Sequence, residues 1–573
     1  MKDDAVETRR AAGGRLGNLH QARVRFPVDW AGALLLLILL GALLARLAAV
    51  RFGLPAMLDP DELMFEIGAY KMLSGGHLDP GWFGHPATTT MYLLAVIDIA
   101  VFAIGHSFGI FAGPHQFANA IFFDPSLIVL PGRIAMCLFG AGTVFLTYRL
   151  ATRIFDRATG LVAAALTAAS PVDVAWSQVV RSDMMATFFL LATMLVALSF
   201  ARSGSRRHLL LACLLAALAI TSKWPFGIAA LTIPGALWIR LRDDRIDRRA
   251  ALRQLLAAAA LTAVLVLCIS PYLLLDFQTV WADLHGEAQQ HHIGATGGGF
   301  LWNSWYYVSG PLLDGLGLVV LCLAVGGLSL RRGRAVFWPI VIFPAAVMFV
   351  VIVAQHIVWE RWMIPMVPVL AIAAASGART LWRWGASRVP VRLCAAVAAG
   401  VALAVFIPLL RRDQTNAVER LHDDRRIATD WARDHLPPGS TVLVEHFAFD
   451  LIDAPFELKF PVGTGGCFNA RRLLENRIDY AEIDALRGGN ANLDYGAVSD
   501  TKQESCRADY AILTEYSRYA SERGAFPEQY SRYRALLERS RIIARFDAVP
   551  GRIGGRPEVL VVKIAKPKDV PGG

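Results

Sequence analysis

Hydrophobic and polar residues fall in blocks along this chain. Long apolar segments occupy residues 30–50, 87–105, 131–150, 158–177, 182–201, 207–222, 225–241, 252–274, 303–330, 335–354, 362–378 and 390–410. Each runs for roughly 15 to 28 residues, and about 20 apolar residues in a helix cross the hydrocarbon of a bilayer. Beyond Leu410 the long apolar runs stop. Residues 411–573 then show a polar helix pattern over Arg425 to His435, ended by Pro437-Pro438-Gly439, and strand-like runs at Thr441–Val444, Asp509–Leu513 and Val559–Val562. The pattern predicts a polytopic α-helical membrane domain over 29–410 and a small α/β domain over 411–573.

Composition agrees with this division. Hydrophobic residues make up 55% of the 573, charged residues 18%, and the mean hydropathy is +0.44, values outside the range of a soluble globule. The net charge of +10 gathers in short connections between apolar segments. That pattern argues for membrane orientation and against nucleic-acid binding. Basic clusters at Arg149/Arg153/Arg157, Arg202/Arg206/Arg207, Arg240 to Arg253, Arg331/Arg332/Arg334 and Arg379/Arg383/Arg388/Arg392 mark every second connection as cytoplasmic. The arginine-bearing residues 1–28 read as a cytoplasmic tail before a retained anchor. The apolar run that follows them is too long for a signal-peptide core and lacks a clear cleavage site. The resulting placement is a multi-pass cell (inner) membrane protein.

Counting crossings from that tail puts the basic loops on the wrong side unless one early segment does not cross. Segment 87–105, which opens with Thr88-Thr89-Thr90 and carries Asp98, is the best candidate for a re-entrant or interfacial helix. About eleven spans follow, with residues 51–130 forming one long outer loop, 276–302 another, and the C-terminal domain outside the cytoplasm. The unusual polar groups then share the outer face: Asp59, Asp61, Glu62, His85, Arg181, Asp183, Lys223, Asp276, the His285–His292 loop, His356, Glu360 and Arg361.

Asp59-Pro60-Asp61-Glu62 places three carboxylates just after the first span, where entry into lipid is costly and a polar cavity is favoured. Asp61 and Glu62 open a stretch, Leu63 to Ser74, with apolar residues at helical spacing (Leu63, Ile67, Tyr70, Met72), so both also suit the positive end of an interfacial helix. The chemical reading makes Asp61 a general base for an acceptor hydroxyl or amine, or a ligand with Glu62 of a divalent metal, if one is used. His85 precedes the non-crossing helix and is either structural or at a substrate mouth. Arg181 and Asp183 open a span and either pair with each other or serve a site. Lys223 sits in a short turn suited to snorkelling or to a lipid phosphate. His291, one of two vicinal histidines, is a weak metal signal on its own. Arg361 suits a phosphate oxygen. Five of the seven cysteines lie in apolar spans. The other two, Cys467 and Cys506, lie in the polar domain and form either a disulfide or two buried thiols.

The ordered set of motifs resembles the GT-C superfamily of polyprenyl-phosphate-sugar-dependent glycosyltransferases, and within it the family 39 group of protein O-mannosyltransferases and lipid A aminoarabinose transferases. The residues that carry the resemblance are Pro60-Asp61-Glu62, His85-Pro86, Arg133 opening a span, Gly160 to Asp183 ending in Arg-Ser-Asp, Ser222-Lys223, and Glu360-Arg361-Trp362 with Ile364-Pro365. They cover most of 50–380. The resemblance implies that Asp61 is the leading acid/base group and that Lys223, Arg361 and the His85 region lie near the carrier phosphate. The chain departs from the aminoarabinose transferases at Gly84-His85 and at Leu63-Met64-Phe65, which leaves the sugar open. The expected activity is transfer of a sugar from a polyprenyl-phosphate carrier to a lipid, glycan or protein acceptor on the outer face. A transporter or lipid flippase is the rival from another class, although the charges gather at one face instead of the midplane. A scaffold that only presents the outer domain is the third reading.

Overall fold

The computed structural model describes residues 29–84, 87–288, 290–329, 333–445, 449–469, 493–549, 553 and 558–565. The expected tail 1–28, His85, Pro86, Arg331 and Arg332 lie outside them. Helices α1 (Trp30–Leu47), α2 (Pro60–Gly75), α3 (Thr88–Ser107), α4 (Pro114–Phe123), α5 (Ser126–Ile154), α6 (Arg157–Ala168), α7 (Pro171–Ser177), α8 (Ser182–Ser203) and α9 (Arg206–Ser222) come first. A 3₁₀ turn over Trp224–Leu231 leads to α10 (Thr232–Arg242), α11 (Arg248–Ile269) and later α12 (Phe277–Glu287).

Among the described residues, eight helices are long and apolar enough to cross a bilayer, or ten if each of two bent pairs, α6 with α7 and Phe300–Leu316 with Leu318–Ser329, counts as one span. The expected number was about eleven. Segment 207–222 yields α9 with only 17 residues, and segment 362–378 starts late at Met366, after Pro365, and carries Arg379 and Arg383 in its helix. The helix expected not to cross, α3, is itself long and apolar enough to do so, so length and composition do not set it apart.

The membrane domain is built on close helix contact. A Cβ on Gly327 would lie 1.9 Å from the Ala373 carbonyl oxygen, and one on Gly377 would lie 2.4 Å from that of Leu323. Glycine at both positions is what lets helix Leu318–Ser329 meet helix Met366–Ala386 backbone to backbone.

Helix α2 differs from its expected pattern. In α2 the fully buried stripe is Phe65, Ala69 and Met72 together with Glu62 and Glu66, whereas Leu63, Ile67 and Tyr70 are only half-buried. Glu62 turns inward to meet Arg133 of α5, whereas the buried Glu66 carboxyl has no hydrogen-bond partner among the described residues. Asp59 caps α2 by accepting the Asp61 N–H at 3.1 Å, and Gly76, at φ +65°, closes it in the left-handed conformation that glycine adopts without strain.

The C-terminal domain is a six-stranded mixed sheet: β1 (Thr441–Val444), β2 (Glu457–Pro461), β3 (Cys467–Asn469), β4 (Tyr510–Leu513), β5 (Ser540–Phe546) and β6 (Val559–Ile564), in the order β3-β2-β1-β4-β6-β5. Strand β1 runs parallel to β2 and β4, and the outer strands are antiparallel. Three strands correspond to the expected runs, as does the helix Asp424–His435. The other three lack such an apolar run: β2 carries Glu457, Lys459 and Pro461, β3 has only three residues, and β5 has no buried position. Cys467 and Cys506 are disulfide-bonded across 39 residues.

The two domains share a core. Val172, Ala175, Trp176 and Val179 of the α7 region pack with Phe52 and Leu58 and with Ala428, Val442, Leu458 and Ile512 of the sheet domain. Arg420 donates to the Ala175 carbonyl at 2.8 Å, and Arg425 donates to that of Leu58 at 2.8 Å. The sheet domain therefore sits on the same end of the helices as the start of α2.

Candidate active site

Six of the sequence-selected groups converge. Asp59 accepts both Nε (3.1 Å) and Nη2 (2.7 Å) of Arg181, a fork that holds the guanidinium in one plane. Arg181 also pairs with Asp61. Arg361 approaches the same Asp61 carboxylate at 3.7 Å and Asp183 at 4.0 Å. Asp183 is held by the Lys223 ammonium at 2.5 Å. The N-cap of α2, the start of α8, the break after α9 and the short helix Glu360–Met363 supply these side chains. Only chain breaks at one end of the bundle bring all four elements together.

Arg181 and Asp183 do not pair with each other, which was one of the two sequence readings. The side chains of Arg181, Asp183, Lys223 and Arg361 are 4 to 7% exposed, whereas that of Asp61 is 35% exposed. Asp61 is thus the most open acid of an otherwise sealed cluster.

Glu62, expected to join Asp61 in the chemistry, is corrected by its geometry. It is fully buried, accepts Arg133 Nε at 2.8 Å and Nη2 at 2.6 Å, and takes the Val180 N–H at 2.9 Å. Arg133 spends its remaining amine on the carbonyls of Val50 and Phe52. Glu62 therefore braces the loop that presents Asp61. The two acids also engage different cations, so they do not make the metal pair that the sequence left open. The described residues contain no group of three or more His, Cys, Asp or Glu suited to a metal ion.

His85 lies outside the described residues. His291 is exposed and faces the sheet domain, its ring 6.4 Å from that of Phe526. Its neighbour His292 is the one that turns toward the cluster, edge-on to Trp359 at 4.9 Å. Burial holds the His292 imidazole below its ordinary range, favouring the neutral ring.

The sequence reading also missed the aromatic floor. Trp176 lies 5.6 Å from the Arg181 guanidinium and 5.9 Å from that of Arg361, and Trp359 stacks on Arg361 at 4.2 Å. The position of Trp359, two residues before Arg361, was the available signal. Glu287, at the end of α12, faces the cluster too. Burial raises its carboxyl, and the nearby Asp61 charge adds to the rise.

Four buried donors around this cluster have no hydrogen-bond partner among the described residues: Arg181 Nη1, which has only its ion pair with Asp61, Arg361 Nε, Trp176 Nε1 and Ser182 Oγ. Buried donors are normally satisfied, and an acceptor-rich, anionic group beside these cations would satisfy them. Lys223 belongs to the same set. Burial, outweighing its Asp183 partner, pushes the amine down to about 8.

The fold, a multi-pass helical domain under a small sheet domain, is of the GT-C type. The structure is similar to apo ArnT from Cupriavidus metallidurans, with a TM-score of 0.50, 14% identity, and coverage of 94% of this chain and 98% of that one. It is also similar to the Archaeoglobus fulgidus oligosaccharyltransferase tethered to an acceptor peptide containing the NVT sequon, with a TM-score of 0.50, 13% identity, and coverage of 95% and 74%. In sequence, the family model described as dolichyl-phosphate-mannose-protein mannosyltransferase matches residues 117–274. None of the curated proteins matches the chain.

Proposed function

We propose that the protein is a membrane glycosyltransferase that moves a sugar from a polyprenyl-phosphate carrier to an acceptor on the extracytoplasmic face, with Asp61 as general base. The observation that carries this reading is the cluster itself: one partly open carboxylate beside three buried cations and four buried donors without a hydrogen bond. The GT-C fold and the mannosyltransferase family match over 117–274 support the donor class.

In the proposed reaction an acceptor O–H or N–H attacks the anomeric carbon of the sugar. Its proton passes to the Asp61 carboxylate as the new bond forms. The bond between the anomeric carbon and the phosphate oxygen breaks, and its electron pair leaves with the lipid phosphate. Arg361 and Lys223, with Trp176 Nε1 and Ser182 Oγ, lie where that charge develops and stabilise it. Arg181, locked by Asp59, orients Asp61. Such a donor carries its tail in lipid, which fits a site at the end of a helical membrane domain.

The test is transfer of labelled sugar from a panel of polyprenyl-phosphate sugars in membranes carrying wild type or Asp61→Asn. Label that reaches an acceptor only with wild type supports the reading and names the donor. Absence of transfer from every donor, with folded protein and plausible acceptors present, sinks it in favour of a transporter or flippase.

A further inference from the structure

The outer loop around residue 294 touches both domains. Ile293 is 6% exposed and packs into the sheet-domain core with Leu443, Tyr519, Phe526 and Tyr533. Beside it Glu522, which follows helix Tyr516–Ser521, accepts the Gly294 N–H at 2.8 Å on one oxygen and the Thr296 hydroxyl at 2.7 Å on the other. Past this anchor the loop forms a short antiparallel ribbon with residues 356–358. Thr296 bridges Ile357, Gly297 N–H donates to the His356 carbonyl at 2.8 Å, and Val358 N–H donates to that of Ala295 at 2.8 Å. The second arm leads directly into Trp359, whose N–H donates to the Tyr307 hydroxyl at 3.1 Å and whose ring lies against Arg361. His292, at the start of the first arm, closes on the same Trp359 ring.

We propose that Glu522 is a positioning residue for the transfer reaction: through this ribbon the sheet domain fixes Arg361 beside Asp61. The inference rests on the functional reading above. A ribbon of so few backbone bonds is marginal alone, and Arg361 holds its two carboxylates only at long range, so its place depends on what holds Trp359. Ile293 inserts the ribbon into the sheet domain, and Glu522 fixes its register by binding two successive donors. The sheet domain thereby acts on the chemistry without touching substrate.

The experiment uses the full chain in lipid nanodiscs, with Glu522→Ala, Glu522→Gln, Thr296→Val and Arg361→Lys. Backbone hydrogen exchange is expected to quicken at 294–297 and 356–359 in Glu522→Ala, while the sheet amides at 510–513 stay protected. Displacement of a catalytic group by about 1 Å costs up to roughly 100-fold. Glu522→Ala should therefore lower kcat by about 10- to 100-fold, with KM for the lipid-phosphate donor changing less. Glu522→Gln keeps one accepting oxygen and should fall between. In the Arg361→Lys background the same change should cost less than about twofold, because two residues acting in one unit are not additive. Full additivity there, or unchanged kcat in a loosened ribbon, overturns the proposal. If Glu522→Ala also loosens the sheet amides, Thr296→Val replaces it and must lower kcat in the same direction. If wild type turns over no polyprenyl-phosphate sugar, the functional reading has failed. Unchanged exchange at 356–359 separately removes the mechanical link.

Discussion

Asp61 and Glu62 are adjacent carboxylates on one helical turn that face different partners, and on the proposed mechanism they have opposite duties that substituting each with its amide separates. Glu62→Gln removes the charge that faces Arg133, both side chains being fully buried. The amide cannot accept two guanidinium donors and the Val180 N–H together, so Arg133 keeps an uncompensated charge. Breaking a buried pair in this way costs about 3–5 kcal/mol, a large part of a typical stability of about 5–15 kcal/mol. Asp61 has a side chain 35% exposed, and partly exposed ion pairs contribute about 1 kcal/mol or less. Asp61→Asn should therefore melt close to wild type, whereas loss of a general base costs about 10²- to 10⁴-fold in turnover. The assay is paired: thermal unfolding in detergent and sugar transfer normalised to folded protein. Glu62→Gln should lose thermal midpoint by about 2–4 °C, while its folded fraction keeps kcat within about tenfold. Wild-type stability in Glu62→Gln, or wild-type turnover in Asp61→Asn, would refute the division of labour.

Three further outcomes are expected. Lys223 acts as the ammonium with its amine pushed down to about 8, so kcat/KM should be level below that pH and fall as pH rises through it, and Lys223→Arg should remove the fall; a wild-type profile level to pH 10 contradicts the role. Arg361→Lys keeps charge but loses the planar fork and the stack on Trp359, so kcat should drop by roughly 10- to 100-fold, measured by single-turnover transfer. Replacing Cys467 or Cys506 with Ser opens a loop spanning 39 residues, for which chain entropy gives about 4 kcal/mol. Limited proteolysis should then cut the sheet domain well before the helices.

The sequence was legible where chemistry and hydrophobicity point the same way. Charged residues within a few positions of long apolar runs singled out Asp61, Arg181, Asp183, Lys223 and Arg361, and all five meet in space. It was illegible where pairing across the chain decides the role. Nothing local distinguishes Glu62 from Asp61; Arg133, 71 residues on, does. His292 instead of His291 faces the cluster because Ile293 locks the loop into the sheet domain, a contact no periodicity reveals. The span count suffers likewise, since α9 is short by itself and is completed by its packing against α8 and α11. In the sheet domain, continuous apolar runs revealed β1, β4 and β6 and missed β2, β3 and β5, whose order comes from partners on the neighbouring strand.

Charge balance gives the cluster an order of events. Asp59, Asp61 and Asp183, with Glu287 alongside, face Arg181, Lys223 and Arg361, so the free site carries no excess of positive charge and tolerates burial. A lipid phosphate entering it adds negative charge and must draw on a cation already in use. Arg181 is forked to Asp59 at 2.7 and 3.1 Å and Lys223 is tied to Asp183 at 2.5 Å, whereas Arg361 holds Asp61 and Asp183 at only 3.7 and 4.0 Å with its Nε unsatisfied. Arg361 is therefore the cation that yields at least cost. As it turns to the phosphate, Asp61 loses one of its two cationic neighbours and becomes a stronger base, since nearby positive charge stabilises the ionised carboxylate. On the proposed mechanism, donor binding thus precedes and prepares deprotonation of the acceptor. An acceptor arriving first meets an Asp61 still held by two arginines.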